Sequence, residues 1–401
     1  MRRWAAALVV ILLIAAGVFI WFATRPKVPP GLELAPSQFA LLPGWNAGDS
    51  TRAVAAFRRS CGVILRMPAD RGMGGSGYAG TAGDWRGACS SLPQSADRAR
   101  ARSWFEATFV PFAVNTASNG EALFTGYYEP EIHASRTRHG SYTTPIYGAP
   151  RDLVTADLGL FRKELAGMRI SGRVANAHLV PFPPRAEIDA AGLSDAPVLL
   201  YANDPIAVFF LHIQGSGRSQ LDDGSMLRLA YAGQNGRRYT PIGRILIANR
   251  ALDRSQMSMQ AIRAWLVSHP KVARGIMEAD QSYVFFHEAP IGDPQLGSPG
   301  TEGVPLTPET SIAVDPAIHA LGVPMYVVAE VPSADTRYRP VGFARLCIAQ
   351  DTGGAIKGPA RADIFWGFGA RAESIAGRMK SGGSLYVFLP KSLAVRVGSH
   401  F

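Results

Sequence analysis

Cysteine is scarce. Three of the 401 residues are cysteines, Cys61, Cys89 and Cys347, too few for a disulfide-rich scaffold or a four-cysteine metal site. Cys61 and Cys89 can bridge if the protein works outside the cytosol. Cys347 lies in a strand pattern and reads as a small buried apolar residue. Histidine at metal-ligand spacing is also missing, since neither His212 nor His319 has a partner of the His-x-x-x-His kind. Gly215-Ser216-Gly217 is not the Gly-x-Ser-x-Gly elbow of a serine hydrolase. The glycine-rich loop from Gly72 to Gly83 lacks the lysine-serine pair and strand-helix frame of a nucleotide cradle. These gaps exclude zinc and serine hydrolysis and leave no metal or cofactor to expect.

Acids are in the minority, 31 against 41 basic residues, for a formal charge of +10. No zinc-finger spacing, recognition helix or RNP-like aromatic strand accompanies the charge, which excludes nucleic acid as the expected partner. An anionic polymer such as a cell wall with acidic peptide stems fits the sign. Hydrophobic residues make up 47% and charged ones 18%, a globular balance, and the length suffices for two domains.

Arg2-Arg3 precede an uncharged apolar run, Trp4 to Ala23, long enough to cross a bilayer as a helix. Basic residues in front place the N-terminus in the cytoplasm. The expectation is an uncleaved signal anchor with the remainder on the periplasmic face, or a periplasmic protein if the segment is cleaved. Lys27 to Leu34 reads as a linker, because tandem proline cannot continue a helix.

Ser50 is expected to cap a helix whose apolar face carries Val54, Phe57, Cys61 and Leu65. A second helix is expected from about Ser95 to Pro111, then a strand over Phe124 to Tyr128. From Glu131 short strands alternate with turns, as in a small barrel or sandwich. Ile206 to Gln214 is apolar almost throughout and reads as a strand buried on both faces. Leu221 to Ser225 is a hairpin turn. Helices open at Ser255 and Pro270, and Tyr283 to Phe286 returns to strand before a crossing at about Pro290. After the turn-rich stretch Gly292 to Gly303, five strands follow at 311–314, 325–331, 343–349, 364–368 and 385–389. A helix over Ala370 to Lys380 is expected to stop at Gly382-Gly383.

The chemistry concentrates between Arg345 and Gly369. A strand delivers Asp351, and Thr352-Gly353-Gly354 permits a tight backbone path. A second acid, Asp363, comes just before Ile364-Phe365-Trp366. A carboxyl held beside aromatic side chains is desolvated, which raises its pKa and suits it to donate a proton. Upstream, Thr125-Gly126-Tyr127-Tyr128 can expose an aromatic face to a sugar. Gln214 and Ser216 can each donate and accept hydrogen bonds, as a ligand with hydroxyl and N-acetyl groups requires. Gln234 and Asn235 offer the same more weakly.

DTGGAIKG with ADIF, AVDP at Ala313 to Pro316, TGYYEP at Thr125 to Pro130 and HIQGSG at His212 to Gly217 stand in one order. Together they resemble the membrane-bound lytic murein transglycosylase A family with its three-aspartate domain. The resemblance covers roughly residues 50 to 390. It implies a mainly β protein with some α: a double-psi β-barrel catalytic domain plus helices, with a second β-barrel domain inserted. The divisions are residues 1–30 for anchor and linker, 31–130 with 290–401 for the catalytic domain, and 131–289 for the insert. It also implies that Asp363 is the single catalytic carboxylate. Asp351 and Asp315 would support it, Asp315 by capping turn N–H groups. Lys357 would orient the glycan or steady a loop, and Thr125, Tyr127, Tyr128, Gln214 and Ser216 would meet the glycan. The family's usual His-Phe-Asp context is here Arg361-Ala362-Asp363. Many members carry a lipid-bearing cysteine after the signal, whereas here no cysteine precedes Cys61. The implied reaction cleaves the MurNAc–GlcNAc bond of peptidoglycan without water to leave 1,6-anhydro-MurNAc ends. The alternatives are a noncatalytic peptidoglycan-binding module and a hydrolytic muramidase. Wall-synthesis or division proteins are the further partners this implies.

Overall fold

The computed structural model describes residues 32–95, 97–116, 122–165, 168–334 and 339–398; the expected anchor lies outside them. Among the described residues no helix is long and apolar enough to cross a membrane.

The chain opens with β1 (Leu32–Pro36), reaches β2 (Phe109–Thr116) after three helices, and turns into β3 (Ala122–Glu129). It then builds β4 (Glu131–Ser135), β5 (Thr144–Tyr147), β6 (Val154–Asp157), β7 (Arg169–Ala175), β8 (His178–Val180) and β9 (Val198–Ala202). β10 (Gly217–Leu221), β11 (Met226–Gln234) and β12 (Val284–Ala289) follow. The last five strands are β13 (Ser311–Val314), β14 (Pro324–Pro332), β15 (Pro340–Thr352), β16 (Arg361–Phe368) and β17 (Lys380–Pro390).

The strands divide into three sheets. The largest runs β1-β2-β17-β14-β15-β13-β16-β3, and a further β17–β3 pairing closes its last six strands into a ring. β13 pairs parallel with β15 and antiparallel with β16, while β16 pairs parallel with β3. A second sheet runs β12-β11-β10-β4-β9-β5, its outer strands linked by a bridge between Gly148 and Phe286. β6, β7 and β8 make a small third sheet.

Alternation explains the ring. Ala362, Ile364, Phe124, Leu385 and Val387 point inward and are buried, while Leu123, Thr125, Arg361, Asp363 and Ser384 beside them are at least partly exposed. Helices Thr51–Ile64, Ala82–Ser90 and Arg98–Thr108 close one side by packing Phe57, Trp85, Trp104 and Phe105 around Phe109 of β2. Each fully buried aromatic in such a cluster contributes roughly 1.5–3 kcal/mol. The Cys61–Cys89 disulfide joins the first two helices with Cα atoms 5.4 Å apart, and Cys347 is a buried free thiol. The Leu221 to Ser225 turn is a hairpin between β10 and β11, with Asp223 accepting from the Ser225 N–H.

Several local expectations need correcting. Pro205–Gln214 is an α-helix, not a strand. Asp204 accepts from the Ile206 and Ala207 N–H groups at 2.8 and 3.1 Å, Pro205 opens the first turn, and Gly215 ends it at φ +79°. A run apolar on all sides fits a buried helix as well as a strand, so these end signals decide. Leu32–Pro36 is not linker but strand, paired with β2. The helix expected from Ser95 to Pro111 is the third and spans only Arg98–Thr108, capped by Asp97, and Phe109 is already strand because the aromatic-rich segment pairs with β17. Ser50 makes no capping bond; the neighbouring Asp49 accepts from the Thr51 N–H instead. The helix expected at Ser255 begins at Met259, where Ser258 accepts from the Ala261 N–H. The helix after β16 spans Gly369–Ala376, and Gly382-Gly383 lie within β17. Gly383 belongs there because an added Cβ would lie 2.0 Å from the Val328 carbonyl oxygen.

Candidate active site

Three strands place the central residues side by side. In the β16-β3-β17 stretch, Asp363 lies opposite Thr125, and Thr125 lies opposite Lys380. Directly opposed residues share a sheet face, so these side chains stand in one row on the outer wall of the ring. Phe365 and Tyr127 form the adjacent row, with ring centroids 5.2 Å apart.

Thr125 Oγ1 donates to Asp363 Oδ1 at 2.6 Å. Arg361 Nη2 donates to the same Thr125 oxygen at 2.7 Å, and its Nη1 donates to the carbonyls of Leu123 and Ala362. Burial pushes the Asp363 carboxyl up to about 6. The Thr125 hydrogen bond and the Arg361 charge pull the other way, and Asp351 adds to the rise. The side chain is nonetheless only partly buried, so solvent reaches one edge of it.

Asp351 is differently occupied. Its Oδ1 accepts from the Thr301 N–H and hydroxyl, each at 3.0 Å, and from the Thr352 N–H at 2.9 Å. Its Oδ2 accepts from the Tyr127 hydroxyl at 2.8 Å. Burial raises its pKa while these four bonds lower it. Asp315 accepts from the Ala317 and Gly358 N–H groups, with Lys357 Nζ 3.5 Å away. Asp315 therefore ties the loop after β15 to the end of β13, and Lys357 steadies the same turn.

Tyr127 and Tyr128 cannot both face Asp363, because neighbours on a strand point to opposite sides. Tyr127 takes that side. Tyr128, expected against glycan, is instead 5% exposed within the main core. Gly126 permits the packing behind them: an added Cβ would sit 2.6 Å from Trp366 Nε1. Gln214 reaches this strand from the helix of the second sheet, its Oε1 accepting from the Tyr128 N–H at 3.1 Å. Ser216 is partly exposed just beyond that helix. Asn235 is a correction: fully buried, it donates to the Pro183 and Gln281 carbonyls and accepts from the Tyr283 N–H. Its amide is consumed by the fold.

His212 also differs from expectation, lying on the helix and buried, with Nδ1 2.9 Å from Arg185 Nη1. Burial and then the Arg185 charge hold its pKa well below the usual range. His319 sits between the Tyr78 hydroxyl at 2.7 Å and the Pro359 carbonyl at 2.6 Å, its pKa lowered by burial to about 4.

Two features escaped sequence reasoning. Arg361 touches the Thr125–Asp363 pair. At the end of β3, Glu129 is 1% exposed and meets Arg218 and Arg228 of the second sheet, each at 3.2 Å. Ser298 donates to Glu129 through both N–H and hydroxyl at 2.6 Å. Arg218 also lies over the Phe368 ring, 3.3 Å from its centroid. The Glu-Pro step was a visible marker; the arginines, 89 and 99 residues on, were not.

Residues 123–287 match the model for the MltA specific insert domain, and residues 310–389 match the model for the 3D domain. Membrane-bound lytic murein transglycosylase A of Escherichia coli K12 is 37% identical over 274 residues, 67% of this chain and 66% of that one. The alignment thus spans just under two thirds of that relative's length. The crystal structure of a membrane-bound lytic murein transglycosylase from Agrobacterium tumefaciens has a TM-score of 0.79 at 32% identity, covering 91% of this chain and 99% of that one. Escherichia coli MltA with bound chitohexaose has a TM-score of 0.63 at 28% identity, covering 92% and 96%. With its paired insert and 3D segments, this chain belongs to the membrane-bound lytic murein transglycosylase A family.

Proposed function

We propose that this protein is a lytic transglycosylase that breaks the β-1,4 bond between MurNAc and GlcNAc in peptidoglycan, with Asp363 as acid and then base. Protonated Asp363 gives its proton to the glycosidic oxygen as the C1–O bond breaks and oxocarbenium character grows at C1 of MurNAc. The C6 hydroxyl oxygen of the same sugar then bonds to C1 and returns its proton to the Asp363 carboxylate. The products are a 1,6-anhydro-MurNAc end and a free GlcNAc hydroxyl. No water is consumed and the enzyme is regenerated. Intramolecular attack has a high effective concentration, so no second carboxylate need activate a nucleophile.

One observation carries this reading. Of the two acids near Tyr127, Asp351 has both oxygens committed to the fold, while Asp363 keeps Oδ2 without a hydrogen bond from any described residue. A two-carboxylate hydrolase needs both acids at the substrate; here one is available. The family membership and the chitohexaose-bound relative support a glycan substrate. Thr125, Tyr127, Gln214 and Ser216 are read as its contacts, with Asp351, Asp315 and Lys357 holding the surrounding loops. The closed ring is read as the double-psi barrel, and residues 131–289 as the inserted domain with barrel character. The N-terminal segment is read as an anchor that keeps the enzyme at the periplasmic face of the membrane.

Digestion of purified murein sacculi followed by mass spectrometry tests the reaction. Anhydro ends are expected from the wild type, none above background from Asp363→Asn, and partial turnover from Asp351→Asn. Reducing ends would identify a muramidase, and no release a binding module.

A further inference from the structure

Arg361 is absent from the roles assigned above, and it departs from the family context noted in the sequence. The geometry points to Arg361 as a positioning residue that, acting through Thr125, fixes the catalytic proton on Oδ2 of Asp363. This inference rests on the proposed function and deepens it.

A hydroxyl has one proton and two lone pairs, and a guanidinium has only donors. Arg361 Nη2 donates to Thr125 Oγ1, which fixes that oxygen as acceptor toward Arg361. Among the described residues the only acceptor within reach of the Thr125 proton is Asp363 Oδ1. A proton on Oδ1 would instead point at Thr125, leaving the threonine hydrogen without an acceptor in a partly buried site. An unsatisfied donor there is costly, so the acidic proton resides on Oδ2, the oxygen no described residue binds. Arg361 is itself held firmly, its Nη1 shared between the Leu123 and Ala362 carbonyls. The chain guanidinium–hydroxyl–carboxylate thus lies on one face of the β16–β3 pair, from Arg361, opposite Leu123, to the neighbouring Thr125–Asp363 row. Its charge and direction both stabilise the carboxylate left after proton donation, and the freed Oδ2 is the oxygen that later accepts the C6 hydroxyl proton.

The charged and titratable groups around Asp363 define the competing influences. Asp351 at the end of β15 opposes ionisation of Asp363. Tyr127 on β3 is bound to Asp351, and its own pKa lies far above neutrality. Asp315, beyond β13, is paired with Lys357. Lys380 on β17 is exposed one strand beyond Thr125. Arg361 alone reaches Asp363 through a hydrogen-bonded intermediary.

Arg361→Met, Thr125→Val and the double variant are compared on sacculi or soluble glycan, with near-UV circular dichroism as the check on folding. Arg361→Met is expected to lower kcat about tenfold with KM within about twofold of the wild type. It should also move the alkaline limb of kcat/KM upward by about half a pH unit or more, because a stabilising charge is lost. Thr125→Val is expected to lower kcat at least as much, and the double variant no further than Thr125→Val alone, since both act through one chain. A limb that stays or moves down, or losses that multiply in the double variant, overturns the inference. If Arg361→Met does not fold, Arg361→Gln is read by the same limb shift. A wild type that releases no anhydro ends sinks the reaction itself; anhydro release with an unmoved limb in the arginine variant sinks only this role.

Discussion

Glu129 and Asp363 sit on neighbouring strands and meet opposite fates. Glu129 is sealed between the two large sheets and saturated: two arginines and both donors of Ser298 leave its oxygens nothing further to bind. Asp363 has one neutral donor, one indirect cation and an uncommitted oxygen. Burial penalises a carboxylate in both places, but only at Glu129 is the penalty offset by direct charge partners. The contrast teaches that a buried acid is suited to carry a proton where its compensation is left incomplete, which is the role proposed for Asp363.

The largest way to break this comparison is at Asp363. Asp363→Asn should lower turnover about a thousandfold or more while leaving the fold intact, measured as anhydro-muropeptide release. The same change at Glu129 should act on the fold first. Glu129→Ala leaves two guanidiniums buried without their anion and is expected to cost about 3–5 kcal/mol, read from urea denaturation midpoints.

A smaller effect sharpens the contrast by pH. In the proposed mechanism the acid form of Asp363 is the active one, so kcat/KM should fall about tenfold per unit above its pKa of about 6. Stability carries the matching sign. The folded pKa lies above the unfolded value, so ionisation costs the native state nothing below the unfolded pKa of 3.8 and its full amount above about 6. Asp363→Asn should therefore stabilise the protein by about 2 kcal/mol at pH 8, discounted for the solvent-facing edge, and not at all near pH 3. Thermal melts at the two pH values check this. The smallest expected effect is at Lys380, exposed in the same row. Lys380→Ala should raise KM for a negatively charged glycan by about twofold, an increase that salt erases.

Much of this contrast was legible in the sequence on one side and hidden on the other. Asp351, Asp363 and the strands from Ser311 onward follow from alternation and from glycine and aromatic context, all local signals. The Leu221 to Ser225 turn was readable for the same reason. The helix over Pro205–Gln214 was missed because its apolar residues carry no period; Asp204, Pro205 and Gly215 were the signal that could have found it. Tyr128, expected against glycan beside Tyr127, lies in the core, and strand parity alone separates the two. The Glu129 cluster and the Arg361–Thr125 contact join residues 89 and 236 positions apart. Pairings at that range are set by the packed sheets, and one sequence holds no record of them.

The β17–β3 pairing has a consequence in time as well as in space. Thr125 is made early and its neighbours in the row, Asp363 and Lys380, near the end, so a chain still being synthesised does not hold the assembled row. Such distant closures also slow folding. A protein built this way completes that row only when its last strand has arrived.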